Sequence, residues 1–150
     1  MIVNINYSGL CLEKTNTLKF NDWKPNQYVQ KCKDYTLVIF KSGKCRIMGC
    51  KTRLVTSSLP LKITNIKIQS LTVSKNFGQT INLHELSVKL NRDAMYEPEL
   101  FPALRLLKFN PLCVNIFSSG KIIILGIKSF DYDAIVSNIM KTILDNISTI

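Results

Sequence analysis

From Phe40 to Lys51, and again from Phe117 to Lys128, the chain reads F-x-S-G-K-x-x-x-x-G-x-K in one register and without a gap. An apolar run precedes each Ser-Gly pair and a second run follows it. Apolar run, glycine turn and apolar run form the signature of a β-hairpin. A phrase of this length written twice constrains the fold more than anything else in the chain: it calls for two similar, strand-rich halves. Their expected extents are 1–60 and 61–150. With 150 residues, 46% of them hydrophobic, the chain can fill one good core but hardly two independent ones, so the halves are expected to build a single domain.

The hydrophobic period changes after the second hairpin. Ile135, Val136, Ile139, Ile143 and Ile147 recur at steps of three and four, which predicts an amphipathic C-terminal helix with Asp131 or Asp133 as its cap. No such pattern follows the first hairpin. There, Ser57, Ser58 and Pro60 lead directly to a strand-like stretch over Ile63–Val73, and the first half is expected to lack its helix. Shorter helical pieces are expected near Leu83–Leu90 and Glu99–Leu107. Many strands, tight turns and one long helix against a face indicate an α+β architecture.

Charge limits the partners. Twenty Lys and Arg face ten Asp and Glu, a net +10. The excess is lopsided: residues 1–62 hold eleven basic and three acidic residues (+8), residues 63–150 nine and seven (+2). Such a balance favours polyanions, nucleic acid first. The longest apolar run, Ile122–Ile127, is too short to cross a bilayer, and no secretory pattern opens the chain, so a soluble protein is expected. Five cysteines, odd in number and with no C-x-x-C pair, point to reduced thiols and an intracellular compartment. Catalytic signatures are lacking. His84-Glu85 has no second histidine at metalloprotease spacing, Gly120-Lys121 lacks the rest of a phosphate loop, and Ser118 and Ser119 have no nucleophile elbow. Neither an enzyme nor a cofactor is expected.

The segment YEPELFPAL (96–104), followed by NIFSSGKIIILGIK (115–128) and preceded by KIQSL (67–71), closely resembles the second repeat of the TATA-box-binding protein family. The similarity covers nearly all of 63–147. Residues 1–62 resemble the first repeat more loosely, through IVNIN (2–6) and the hairpin at 36–51. A divergent, shortened member is implied, and its many Asn, Ile and Lys codons suit an AT-rich genome, a viral one included.

The resemblance implies a saddle: a curved antiparallel sheet from two pseudo-symmetric repeats, with helix on the convex face and minor-groove DNA on the concave one. In that family paired phenylalanines wedge between base steps and kink the duplex. Carried over, Phe101 and Phe117 are the wedges of the second repeat and Phe40 one wedge of the first. Trp23 is its partner by spacing, with Tyr28 in reserve. Lys44, Lys51, Lys121 and Lys128, together with the turn residues Ser42 and Ser119, are expected on phosphates. The groove floor falls on Ser70, Met48, Leu125 and Ile123, with Leu71 as a neighbour. Here the sequence departs from the family. Its two floor asparagines correspond to Met1 and Ser70, and its two threonines to Met48 and Leu125, so the floor has fewer hydrogen-bonding groups and discriminates sequence less well.

Glu97, Glu99 and Leu100 match residues that touch IIB-class factors. The resemblance therefore implies a transcription initiation factor that binds and bends AT-rich promoter DNA and recruits a IIB-like factor and RNA polymerase, in a nucleus or a cytoplasmic viral factory. A dedicated partner subunit would supply the absent helix. The rival reading is an interaction module within a transcription complex that does not bind DNA alone.

Overall fold

The computed structural model describes residues 1–12 and 26–147, and within them the fold is α+β, with nine strands and two α-helices. The chain divides into two compact units, Ile2–Leu71 and Thr72–Ile150 together with Met1. In the first unit, β1 (Ile2–Cys11), β2 (Gln27–Lys31), β3 (Thr36–Phe40), β4 (Lys44–Cys50) and the beginning of β5 (Ile63–Asn76) lie in the order β2-β3-β4-β1-β5. The second unit takes the end of β5 and adds β6 (Ala94–Met95), β7 (Leu104–Leu106), β8 (Cys113–Ile116) and β9 (Lys121–Ile127), in the order β5-β9-β8-β7-β6. It also holds α1 (Leu83–Leu90) and α2 (Asp133–Asn146).

The two copies of the repeated phrase are the hairpins β3–β4 and β8–β9, and they are built alike bond for bond. Gly43 and Gly120 sit at φ +90° and +93°, a region that glycine enters without a Cβ penalty. Their amides donate to the carbonyls of Phe40 (2.9 Å) and Phe117 (3.0 Å). Ser42 Oγ accepts from the Lys44 amide at 3.5 Å, and Ser119 Oγ from the Lys121 amide at 3.4 Å. The second glycine of the phrase also has a structural reason. β1 pairs Ile5 with Cys50 and Tyr7 with Ile47, so β4 fits three steps against two and bulges where Gly49 takes φ +83°.

Alternation along the strands separates a buried face from an open one. β4 buries Cys45, Ile47 and Cys50 and exposes Lys44, Arg46 and Met48. β9 buries Ile122, Ile124 and Ile127, leaving Lys121 and Leu125 exposed and Ile123 half-buried. A one-residue slip would turn either set inside out, and each fully buried Ile or Leu contributes about 1.5–3 kcal/mol, so the pattern fixes the register. The first unit gathers Ile5, Leu37, Ile39 and Ile47 at its centre, the second Leu104, Leu106, Ile116, Ile122, Ile124, Ile139 and Ile143.

The helices follow the periodicity with two corrections. α1 occupies Leu83–Leu90 as expected, buries Leu83, Leu86 and Leu90, and is capped by Asn82, whose side chain accepts from the Glu85 amide at 3.1 Å. α2 buries Ile139 and Ile143, but neither Asp131 nor Asp133 caps it. Tyr132 holds the cap position without a side-chain bond, while Asp133 lies in the first turn, where the helix dipole favours a carboxylate. Ile147 is already extended. The second correction is Glu99–Leu107, which is not helical. Leu104 and Leu106 point inward and Arg105 outward, a period of two dictated by pairing with β8. After the first hairpin the described residues contain only a 3-10 turn, Thr56–Ser58, with nothing buried. None of the described helices is long and apolar enough to cross a membrane.

The twin turns differ in their surroundings, which yields a stability prediction. A Cβ on Gly120 would run into the Gln79 carbonyl group, whereas one on Gly43 would meet only Cys11 O at 3.8 Å. Gly43→Ala therefore costs backbone strain alone, about 1 kcal/mol. Gly120→Ala adds a clash with backbone that cannot step aside and costs about 3 kcal/mol or more. Thermal unfolding checks this. Equal falls in Tm would refute it.

Candidate nucleic-acid interface

On the second unit, cross-strand register sets Met95, Arg105, Asn115 and Ile123 in one row, since residues directly opposite share a face. Arg105 is exposed and Ile123 half-buried, so this is the open face. Phe117 follows the last residue of β8 in the same alternation as Asn115. Phe101 reaches it from the segment before β7. The two rings stand 6.4 Å apart at 64°, edge to face, both half-buried. Arg105 lays its guanidinium 5.3 Å from the Phe101 centroid, a cation–π contact the sequence did not announce. A tight turn aims Phe101: the Glu97 carbonyl accepts from both the Leu100 and Phe101 amides at 2.9 Å. The same turn leaves Leu100 80% exposed. Glu97 and Glu99 are exposed beside it.

The cationic and hydroxyl groups come next. Lys44 and Lys121 start β4 and β9 directly after their turns, and both are exposed. Lys51 and Lys128 directly follow the last residues of these strands, also exposed. Each hairpin thus carries one lysine at either end of its second strand, with Ser42 or Ser119 exposed in the turn. Ammonium groups on long stems beside exposed turn hydroxyls suit phosphate oxygens.

On the first unit, Phe40 ends β3 and is half-buried. Trp23 lies outside the described residues. Tyr28 pairs with Ile39, while Gln27 pairs with Phe40, so Tyr28 projects to the other face of β2 and does not stand beside Phe40. Its hydroxyl hydrogen-bonds Gln30 Oε1 at 3.2 Å. Phe40 instead shares a shallow depression with Ser8, Lys44, Arg46 and Lys67. Sequence reasoning missed Arg46 and Lys67. The repeat held the signal for the first: laying 40–51 over 117–128 puts Arg46 on Ile123.

The floor positions match in exposure. Met48 and Leu125 are each 36% exposed, as equivalent places in two copies should be. Ser70 is half-buried, and its hydroxyl accepts from Asn6 Nδ2 at 3.4 Å. Asn6 Oδ1 accepts from the Gly49 amide at 3.2 Å. An amide side chain, absent at Ser70 itself, is therefore supplied next to it from β1. Met1 leaves its side chain 85% exposed and donates its ammonium group to Ser74 O at 2.9 Å. Leu71 is wholly buried, a core residue of its unit and not a floor neighbour.

By their chemistry these groups are suited to binding and stacking. Among the described residues no three or more His, Cys, Asp or Glu are grouped to hold a metal ion. All five cysteines are free thiols. Burial, with a smaller contribution from Cys11, pushes the Cys45 thiol up to about 11, so it stays neutral at physiological pH.

Comparison with known proteins bears on the family and the fold. The family described as "Transcription factor TFIID (or TATA-binding protein, TBP)" matches residues 65–147. A TATA-box-binding protein of Methanocaldococcus jannaschii is 33% identical over 129 residues, 76% of this chain and 68% of that protein. One from Pyrodictium occultum is 35% identical over 108 residues, 62% of this chain and 54% of that protein. The chain thus spans between about half and two thirds of the length of these relatives. The solved structure titled "Methanococcus jannaschii TBP" superposes with a TM-score of 0.76 at 25% identity, covering 96% of this chain and 97% of that one.

Proposed function

This chain belongs to the TATA-binding-protein family, and from that premise we propose that it binds AT-rich promoter DNA in the minor groove, bends it, and recruits a IIB-like factor and RNA polymerase. The observation that carries the reading is the aromatic pair of the second unit. Phe101 and Phe117 meet edge to face at the rim of an open face, half-buried, with exposed lysines on the adjoining strand. Rings held this way can unstack a base step, and the wider contact with bent DNA offsets the unstacking. Phe40 is the corresponding wedge of the first repeat. Lys44, Lys51, Lys121 and Lys128 hold phosphates, while Met48, Ser70, Ile123 and Leu125 cover the groove floor. The repeats are 1–60 and 61–150.

End-to-end fluorescence transfer on a short AT-rich duplex, with and without the protein across a salt series, tests this. A shortened distance is expected. Binding without shortening would reduce the site to a generic basic surface. No binding by the folded protein at low salt would favour the interaction-module reading instead.

The exposure of Leu100 and of Glu97 and Glu99 supports the same turn as the IIB-like contact. Glu97→Arg with Glu99→Arg should weaken that complex at least tenfold on charge reversal, with DNA bending unchanged. A pull-down in which the double variant retains the factor would remove this surface from the account.

A further inference from the structure

Resting on that reading of the open faces, we propose that Arg46 is a specificity-determining residue that enters the minor groove and fixes the direction in which the protein sits on an asymmetric promoter. Arg46 stands near the middle of the first unit's open face, opposite Val38 on β3 and Ser8 on β1. It is exposed, and among the described residues no carboxylate pairs with it. Phe40, two residues beyond Val38, lies on the same face, and Phe40, Lys44, Arg46 and Lys67 line one depression. The matching position in the other copy of the repeat is Ile123, opposite Asn115.

The two open faces therefore differ in kind at one equivalent point. One offers a guanidinium with five donors in a fixed fork, the other a branched hydrocarbon. Minor-groove A·T pairs present only the acceptors adenine N3 and thymine O2, and a G·C pair interposes an amino group. A-tracts also narrow the groove and deepen its negative potential, which draws arginine in. The first unit should then choose the narrow, uninterrupted A·T half of a site. The second unit, with isoleucine at that point, takes the flexible half with pyrimidine–purine steps. An equal pair of apolar residues would leave the protein free to bind in either direction. Lys67 lines the same depression and adds its positive field on the same side.

A photo-cross-linking side chain placed at Lys41 marks the first unit's turn and one at Ser118 the second's. The probe is a duplex with an A-tract in one half and TA steps in the other. In the otherwise unaltered protein, position 41 should label the A-tract half over the other half by about tenfold, because the narrower groove there holds the deeper negative potential that draws the guanidinium in. Arg46→Ile should bring that ratio close to one. Combining it with Ile123→Arg should invert it, and this gain keeps the test sharp should either single change weaken folding. A ratio unmoved by Arg46→Ile, or no preference in the parent protein, would overturn the inference while leaving DNA binding intact. A protein that labels neither half would overturn both.

Discussion

Phe101→Ala with Phe117→Ala is expected to abolish DNA bending, with the end-to-end distance in the complex returning to that of free duplex. Each ring removes a wedge, and unstacking a base step costs a few kcal/mol that only an inserted apolar group offsets. The rings are also each other's support at 6.4 Å, so losing one leaves the second poorly aimed. Either single substitution should already weaken bending severely, and the double should cost little more, since the two act as a unit. The fold should survive, because both rings are half-buried and the aromatic pair contributes only about 0.5–1.5 kcal/mol beyond its buried area. Fluorescence transfer and circular dichroism on the same samples separate these effects. Normal bending by the folded double variant would contradict the wedge assignment.

Neutralising Lys44, Lys51, Lys121 and Lys128 together should flatten the salt dependence of binding. At about 0.9 per phosphate contact, four contacts remove roughly 3.6 from the slope of log affinity against log salt. Between 50 and 200 mM salt the unaltered protein should thus lose roughly 150-fold more affinity than the variant does. All four side chains are exposed, so glutamine at each position leaves packing intact. A slope that does not change would place these lysines away from the backbone of the duplex.

Much of this arrangement could be read before any coordinates. The phrase F-x-S-G-K fixed both hairpins because a glycine at positive φ, a serine hydroxyl on the next strand's first amide and alternating burial are all local requirements. The extent of α1 was legible for the same reason: Leu83, Leu86 and Leu90 lie within one short stretch, whereas its Asn82 cap emerged only in the structure. Non-local pairing was not legible. Glu99–Leu107 has leucines at helical spacing, yet pairing with β8 makes a strand of its second half. Spacing favours Trp23 and leaves Tyr28 in reserve, but register with Ile39 turns Tyr28 away from Phe40. Asn6 came to the floor only because β5 brings Ser70 beside it, a contact 64 positions apart. Arg105 needed the ring of Phe101 folded back over its own strand before it had anything to stack on.

One carbonyl oxygen, that of Glu97, receives both the amide next to the exposed leucine and the amide of the aromatic wedge. On the proposed reading, a factor that grips Leu100 and a base step that takes Phe101 would therefore draw on the same few torsion angles. Any shift of those angles that one contact requires is then already made for the other. Thermodynamic reciprocity then requires that a factor held more tightly on bent DNA must, by the same ratio, hold the DNA more tightly bent. If both contacts are made as proposed, assembly at such a turn would be cooperative in either order, duplex and protein partner each tightening the other's hold.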